Sequence, residues 1–337
     1  MPGPTVRHPY RYEAAPRRTR RRSALRILTA AIAFLISTAS AFADDQVPSA
    51  EPKVSITPRD APRSRSAPAR SSLRVDVNQI LVPVTVTDSW DRPITSLPAD
   101  SFRIFEDNVE QKIVSVFKEE GPISVGFLFD ASSSMRKRMA PSLAAIEQFL
   151  KTGMPGDEYF LVRFSDKPTL VTRFTPDPDQ ILKGLSFIQP EGWTAMLDAL
   201  CLGVQHMKFA RNSRRALIVL TDGGDNNSRY TESEIRSLVR ESDVRVYAIG
   251  VFERSHYLEK IAAETGGKAF FVHKLEDLPE TIERLSSGFR NQYVLGYTSN
   301  NQQKDGKYRR VRVELDPATR QIPLNVVWRR GYYPLPE

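Results

Sequence analysis

The chain has 337 residues, of which 40% are hydrophobic and 26% are charged, and its formal net charge is +8. Residues 1–43 carry eight Arg and one Glu, and residues 44–72 carry five basic and four acidic side chains, so residues 73–337 are neutral overall. Because the positive charge belongs to the N-terminal segments, it gives no support for a nucleic-acid-binding function.

The N-terminus has the features of an export signal. The basic run Arg17 to Arg22 precedes the apolar stretch Ile27 to Ile36, and Ala41-Phe-Ala43 has the small residues typical of a cleavage site. We therefore expect residues 1–43 to be a signal peptide and the mature protein to be periplasmic, on the cell surface or secreted. The alternative is an uncleaved membrane anchor, although Ile27 to Ala43 falls short of the ~20 predominantly apolar residues that a span needs.

Two β-rich segments flank the middle of the chain. Residues 44–72 are rich in Pro, Ser, Ala and Arg and are predicted to be a disordered linker. Residues 73–120 and 291–337 both show the period-two alternation of strands. The predicted strands are Leu81 to Val86, Phe102 to Phe105, Ile113 to Phe117, Tyr293 to Tyr297, Tyr308 to Leu315 and Ile322 to Trp328.

Each flank has only about 45 residues, near the size below which a lone domain buries too little apolar surface. We therefore expect the two flanks to form one small β-sandwich. The alternative is two independent strand extensions that lie on the domain between them.

Residues 121–290 alternate apolar strands with helices. The predicted strands are Ile123 to Phe129, Glu158 to Phe164, Thr169 to Phe174, Ala216 to Leu220, Val244 to Val251 and Lys268 to Val272. The predicted helices are Ala140 to Thr152, Pro178 to Phe187, one after Thr194, Thr231 to Glu241, Tyr257 to Thr265 and Leu278 to Phe289. Repeating βα units with buried strands predict an α/β fold with a doubly wound, mostly parallel, Rossmann-like sheet, inserted in the sandwich.

Oxygen-bearing side chains follow two of these buried strands. Asp130, Ser132 and Ser134 come directly after the first strand, and Asp222 follows the strand that ends at Leu220. A third loop, Pro190 to Thr194, opens a helix with the apolar face Leu197, Leu200, Cys201, Val204 and Met207. Ligands of open α/β sheets bind beyond the carboxyl ends of the strands. Carboxylates and hydroxyls without a His or Cys set suit Mg²⁺, Mn²⁺ or Ca²⁺ rather than zinc.

Each of these residues also has a simpler interpretation. Ser132, Ser134 or Thr194 could cap a helix, and Asp222 could belong to a turn that ends a strand. Capping does not require all of them in one βα chain, so the combination favours a metal site.

The same residues resemble the von Willebrand factor type A family, whose metal-ion-dependent adhesion site is built from D-x-S-x-S, a threonine and an aspartate on three loops. The resemblance covers about Gly121 to Arg290. It implies that Ser132 and Ser134 bind the metal through their hydroxyls, that Asp130 and Asp222 bind directly or through water, and that Thr194 joins according to conformational state. It also implies that an acidic side chain of a partner fills the remaining position. Leu81 to Asp88 and Arg329 to Tyr333 are similar to segments of exported bacterial members.

These features predict a non-enzymatic binding or adhesion protein that uses a divalent cation to bind an Asp or Glu of a protein partner. Trp193, Asp225 and Asn226 border the predicted site and are candidate partner contacts, although Trp193 could equally pack beneath its loop. Contact with a membrane is expected only through an uncleaved anchor. Cys201, the single cysteine, is predicted to be a core side chain. The alternatives are a metal-dependent hydrolase and a structural envelope protein with a dispensable metal site.

Overall fold

A computed structural model describes residues 79–303, 305–317 and 323–334. The predicted signal peptide and linker, the first residues of the N-terminal flank and Ile322 lie outside the described residues. Among the residues described, no helix is both long enough and apolar enough to cross a membrane.

A six-stranded sheet forms the centre of residues 121–290. Its strands are β5 (Ile123–Asp130), β6 (Glu158–Phe164), β7 (Pro168–Thr175), β8 (Arg214–Thr221), β9 (Arg245–Val251) and β10 (Ala269–Val272). The spatial order is β10-β9-β8-β5-β6-β7, and every pair except β6 with β7 is parallel. The predicted doubly wound, mostly parallel sheet is confirmed.

Six α-helices connect these strands. They are α1 (Met139–Lys151), α2 (Pro178–Ser186), α3 (Met196–His206), α4 (Glu232–Glu241), α5 (His256–Thr265) and α6 (Leu278–Arg290). Two separate hydrophobic clusters lie among them, one containing side chains of α1, α2 and α6 and the other containing side chains of α3, α4 and α5. The predicted apolar face of α3, Cys201 included, is buried. Both faces of the sheet are therefore covered, as the continuous apolar runs of its strands require.

The two flanks pair with one another. The strands are β1 (Gln79–Thr87), β2 (Phe102–Glu106), β3 (Val109–Gln111), β4 (Ile113–Glu119), β11 (Gln292–Thr298), β12 (Arg309–Leu315), β13 (Asn325–Trp328) and β14 (Gly331–Tyr332). They form two four-stranded sheets, ordered β13-β1-β11-β4 and β14-β12-β2-β3, whose pairs are antiparallel. Side chains of both flanks share one hydrophobic cluster. Independent strand extensions would not give this pairing.

Polar contacts also join the flanks to the α/β part. The Arg245 guanidinium donates to Glu119 Oε2 at 3.0 Å, and Gln292 Nε2 donates to the Tyr247 hydroxyl at 3.4 Å. The described residues from Gln79 onward belong to one compact unit. The division of the chain at residues 120 and 290 thus remains a prediction from the sequence.

Candidate metal centre

The candidate site lies where β5 and β8 end side by side. Phe129 of β5 is in register with Leu220 of β8, so the residues that follow both strands emerge at the same edge. The chain continues from β5 to β7 on one side and returns to β8 on the other. This junction is the topological switch point, where open α/β sheets bind their ligands.

A chain of hydrogen bonds links four of the predicted metal ligands. Asp130 is fully buried, and its Oδ1 accepts from the backbone N–H of Ser132 at 2.8 Å. The Ser132 and Ser134 hydroxyl oxygens are 2.9 Å apart. Ser134 Oγ donates to Asp222 Oδ1 at 2.7 Å. Ser134 is exposed, whereas Asp130, Ser132 and Asp222 are buried, so the cluster faces solvent on one side only.

The fifth predicted ligand, Thr194, lies in a loop that is fixed against the other two. We name residues 130–134 loop 1, residues 190–194 loop 2 and residues 221–228 loop 3. The backbone N–H of Ser133 in loop 1 donates to the Gly192 carbonyl of loop 2 at 3.1 Å. The Thr194 N–H donates to Asn226 Oδ1 of loop 3 at 2.8 Å. The three loops therefore form one connected unit.

The capping interpretations do not agree with this structure. Ser132 precedes a 3-10 turn, Ser133–Lys137, and its side chain makes no capping hydrogen bond. Ala195, not Thr194, is the N-cap of α3, and no side chain caps that helix. The hydroxyls of Ser132 and Thr194 are not used in capping these helical segments.

The three candidate partner contacts have different environments. Trp193 is 65% exposed, which contradicts packing beneath its loop. Its backbone N–H donates to Asp166 Oδ1 at 2.7 Å. Asp225 Oδ1 accepts from the Leu197 N–H at 3.1 Å. Asp225 thus fixes the start of α3, as Asn226 fixes Thr194, and contact of either with a partner remains a prediction.

Two observations indicate that the centre fits a cation. Burial raises the pKa of Asp130, against the opposing effects of hydrogen bonds from Thr221 and Ser132 and of the positive charge of Arg138. Oδ2 of Asp222 is buried and accepts no hydrogen bond, and the Arg138 guanidinium contacts it as an ion pair. Two carboxylates and neighbouring hydroxyls form a hard-oxygen donor set of the kind that Mg²⁺, Mn²⁺ and Ca²⁺ prefer. In the part of the chain described, no group of three or more His, Cys, Asp and Glu side chains is arranged to hold a metal.

Four further residues of the centre were given no role by the sequence. Thr221 donates from Oγ1 to Asp130 Oδ2 at 2.6 Å, and its position beside Asp222 was a usable signal. Asp166 supports loop 2 from the turn between β6 and β7. Arg138 and Phe252 form a cation–π pair, with Arg138 Cζ 5.0 Å from the ring centroid. No local motif marks these last three residues.

Comparison with known protein families agrees with this geometry. Residues 125–224 match the model of the von Willebrand factor type A domain. This segment is a von Willebrand factor type A domain. It includes most of β5, all of β6, β7 and β8 with their connecting helices, and all five predicted metal ligands. A search of curated protein sequences gave no match.

Several solved structures are similar to the chain. A von Willebrand factor type A protein from Catenulispora acidiphila has 14% identity and a TM-score of 0.47, covering 72% of this chain and 71% of its own. An aerotolerance-related membrane protein from Bacteroides fragilis has 18% identity and a TM-score of 0.42, covering 49% of this chain and 98% of its own. Proximal thread matrix protein 1 from the mussel byssus, solved with a zinc-occupied MIDAS motif, has 21% identity and a TM-score of 0.45, covering 55% and 50%. These values are too low to transfer a function.

Proposed function

We propose that this protein is an exported, non-enzymatic binding protein whose type A domain uses a divalent cation to bind an acidic residue of a protein partner. The observation that carries the proposal is the carboxylate of Asp222, buried in a set of oxygen ligands, whose Oδ2 accepts no hydrogen bond and is balanced in this structure by the Arg138 guanidinium. A buried carboxylate needs a compensating cation, and the hard-oxygen donors around Asp222 suit a divalent metal in that role. Mg²⁺ is the first candidate, with Mn²⁺ and Ca²⁺ as alternatives.

The side chains of the centre would hold the ion and leave one coordination position open to the partner. Ser132, Ser134, Asp130 and Asp222 would hold it from loops 1 and 3, and Thr194 from loop 2. When bound, the ion offers a coordination position to an oxygen of the partner. A carboxylate suits that position because a hard dication prefers anionic oxygen ligands, and neutral hydroxyls supply several of its other ligands.

The exposed ring of Trp193 favours a protein as the binding partner. Its ring is 65% exposed on loop 2, next to Thr194. The loop backbone is fixed by Asp166 and Asn226, so the ring is displayed from a rigid support. Exposed aromatic side chains on rigid supports are common anchors at protein interfaces. Export itself depends on residues 1–43, which lie outside the described part of the chain.

The first prediction uses neighbouring serines as test and control. Ser134→Ala, or Ser132→Ala with Ser134→Ala, should weaken Mg²⁺ or Mn²⁺ binding by at least about tenfold, because hydroxyl ligands are lost. Ser133→Ala should leave it unchanged, because Ser133 is exposed and contributes only its backbone N–H. Isothermal titration of the full chain measures both effects.

Capture of the partner completes this test. Cross-linking of the native protein, with and without EDTA, should recover a partner only when the metal is present. Neutralising one Asp or Glu of that partner should cost as much affinity as removing the metal, and the two losses should not add, because both delete the same bond. Capture that persists in EDTA contradicts the proposal. Metal-dependent turnover of phosphate, ester or peptide substrates would favour the hydrolase instead.

A further inference from the structure

Arg138 provides a positive charge inside the candidate metal centre. It follows the 3-10 turn Ser133–Lys137 and immediately precedes α1. Its guanidinium contacts Asp222 Oδ2 as an ion pair. Arg138 thus places its charge against one of the two carboxylates to which the metal site is assigned.

The two partners of this ion pair differ in their freedom to move. The side chain of Asp222 is 1% exposed, whereas that of Arg138 is 25% exposed. Asp222 is also held by the Ser134 hydroxyl at 2.7 Å, whereas the hydrogen bond of the Arg138 guanidinium to the Ser134 carbonyl is 3.5 Å long. Separation of the pair therefore requires motion of Arg138 and not of the aspartate.

Phe252 gives the guanidinium a second contact beside Asp222. Arg138 Cζ lies 5.0 Å from the centroid of the Phe252 ring, within the range of a cation–π interaction. Phe252 follows β9 with a φ of +68°, an uncommon backbone angle for a bulky side chain, and its ring is 45% exposed. Its backbone N–H donates to the Val272 carbonyl at 2.8 Å, which fixes the residue beside the centre.

We propose that Arg138 is a built-in counter-ion of the metal centre, which neutralises Asp222 in the metal-free protein and must withdraw from it, along the Phe252 ring, before a divalent cation binds. This inference rests on the proposed metal-dependent function. It adds that the affinity for the metal is set by competition with a side chain of the protein. The metal-free loops remain stable because their charge is already partly balanced.

The sign of the effect separates this role from a structural one. If Arg138 only supported the loops, its removal would weaken metal binding. If it competes with the metal, Arg138→Met should strengthen Mg²⁺ and Mn²⁺ binding by roughly three- to tenfold, the equivalent of losing one partly exposed ion pair. The same change should lower the melting temperature in EDTA and enlarge the rise in melting temperature that Mg²⁺ produces.

Matched variants complete the design. Arg136→Met removes the same charge from an exposed side chain two residues earlier, for which no ion pair is found in the described part of the chain, and should change the metal affinity by less than about twofold. Arg138→Lys retains a cation and should stay closer to the unchanged protein than Arg138→Met does. This conservative variant also keeps the test decisive if Arg138→Met is too unstable in EDTA.

Isothermal titration with Mg²⁺ and Mn²⁺, and thermal unfolding with and without EDTA, are measured on the full chain. Metal binding by Arg138→Met that is equal to or weaker than that of Arg136→Met overturns the inference, while the proposed function stands if the unchanged protein binds metal through Ser134. Metal binding that is detected for Arg138→Met but not for the unchanged protein would support the inference. Absence of binding in every variant would overturn both.

Discussion

Thr221 supports the buried carboxylate of Asp130 from the neighbouring strand. Its hydroxyl is 2.6 Å from Asp130 Oδ2, and both residues are essentially inaccessible to solvent. Thr221→Val keeps the shape of the side chain but leaves that oxygen without its donor. We expect the free energy of unfolding in EDTA to fall by about 1–3 kcal/mol. Thr221→Ser, which keeps the hydroxyl, is the control, and equal urea midpoints for the two variants would contradict the assignment.

At the scale of single residues, the sequence identified the predicted metal ligands better than the residues that hold those ligands in place. Asp130, Ser132 and Ser134 lie within five positions of one another, directly after an apolar run, so their meeting with Asp222 follows from adjacent parallel strands. The contact of Arg138 with Asp222 joins residues 84 positions apart through a long flexible side chain. Such a contact depends on tertiary packing, which local spacing does not encode.

Loop 2 depends on one glycine. Gly192 has a φ of +77°, and a Cβ at this position would lie 2.6 Å from Asp166 Oδ1, the atom that accepts from the Trp193 N–H. Gly192→Ala therefore combines an unfavourable backbone angle with a clash against the support of the loop. It should lower the free energy of unfolding by about 1–3 kcal/mol and also weaken metal binding, because Thr194 follows two residues later.

Gly224→Ala in loop 3 is the matched control. Gly224 lies outside the left-handed region, and a Cβ there would meet no atom within 4 Å. It should leave both stability and metal affinity unchanged. Chemical denaturation and isothermal titration compare the two variants, and a Gly192→Ala protein that behaves like Gly224→Ala would show that loop 2 adapts freely.

The elements were predictable where the pattern was long. The helix predicted from Thr231 to Glu241 is α4, which a capping box of Thr231 and Glu234 opens, and Gly266 ends α5 in the left-handed conformation. The sequence did not predict β3 (Val109–Gln111) or β14 (Gly331–Tyr332). Strands of two or three residues are too short to show an alternation, and only their pairing with neighbouring strands defines them.

At the scale of the whole molecule, the two flanks depend on each other for their hydrogen bonds. β11 is the neighbour of both β1 and β4, and β12 is the neighbour of β2. Glu106 at the end of β2 is buried, and it accepts hydrogen bonds from the hydroxyls of Tyr297, Tyr332 and Ser299 at 2.6–2.9 Å. All three donors belong to the C-terminal flank. Loss of these hydroxyl donors would leave a buried carboxylate without hydrogen bonds, which is strongly destabilising.

A chain that ends at Arg290 should therefore lose the fold of its N-terminal flank. Removal of residues 291–337 deprives β1 and β4 of every neighbour and leaves β2 paired only with the short β3. A two-stranded hairpin is marginal in water, and the apolar side chains of β1 would become exposed.

We expect rapid proteolysis within residues 79–119 and fast amide exchange there. The six-stranded sheet should keep slower exchange, because its strands pair only with each other. A chain shortened only after Tyr332 is the control. Equal protection of residues 79–119 in both chains would mean that the N-terminal flank is stabilised by the α/β part, through contacts such as that of Glu119 with Arg245, and not by a shared sandwich.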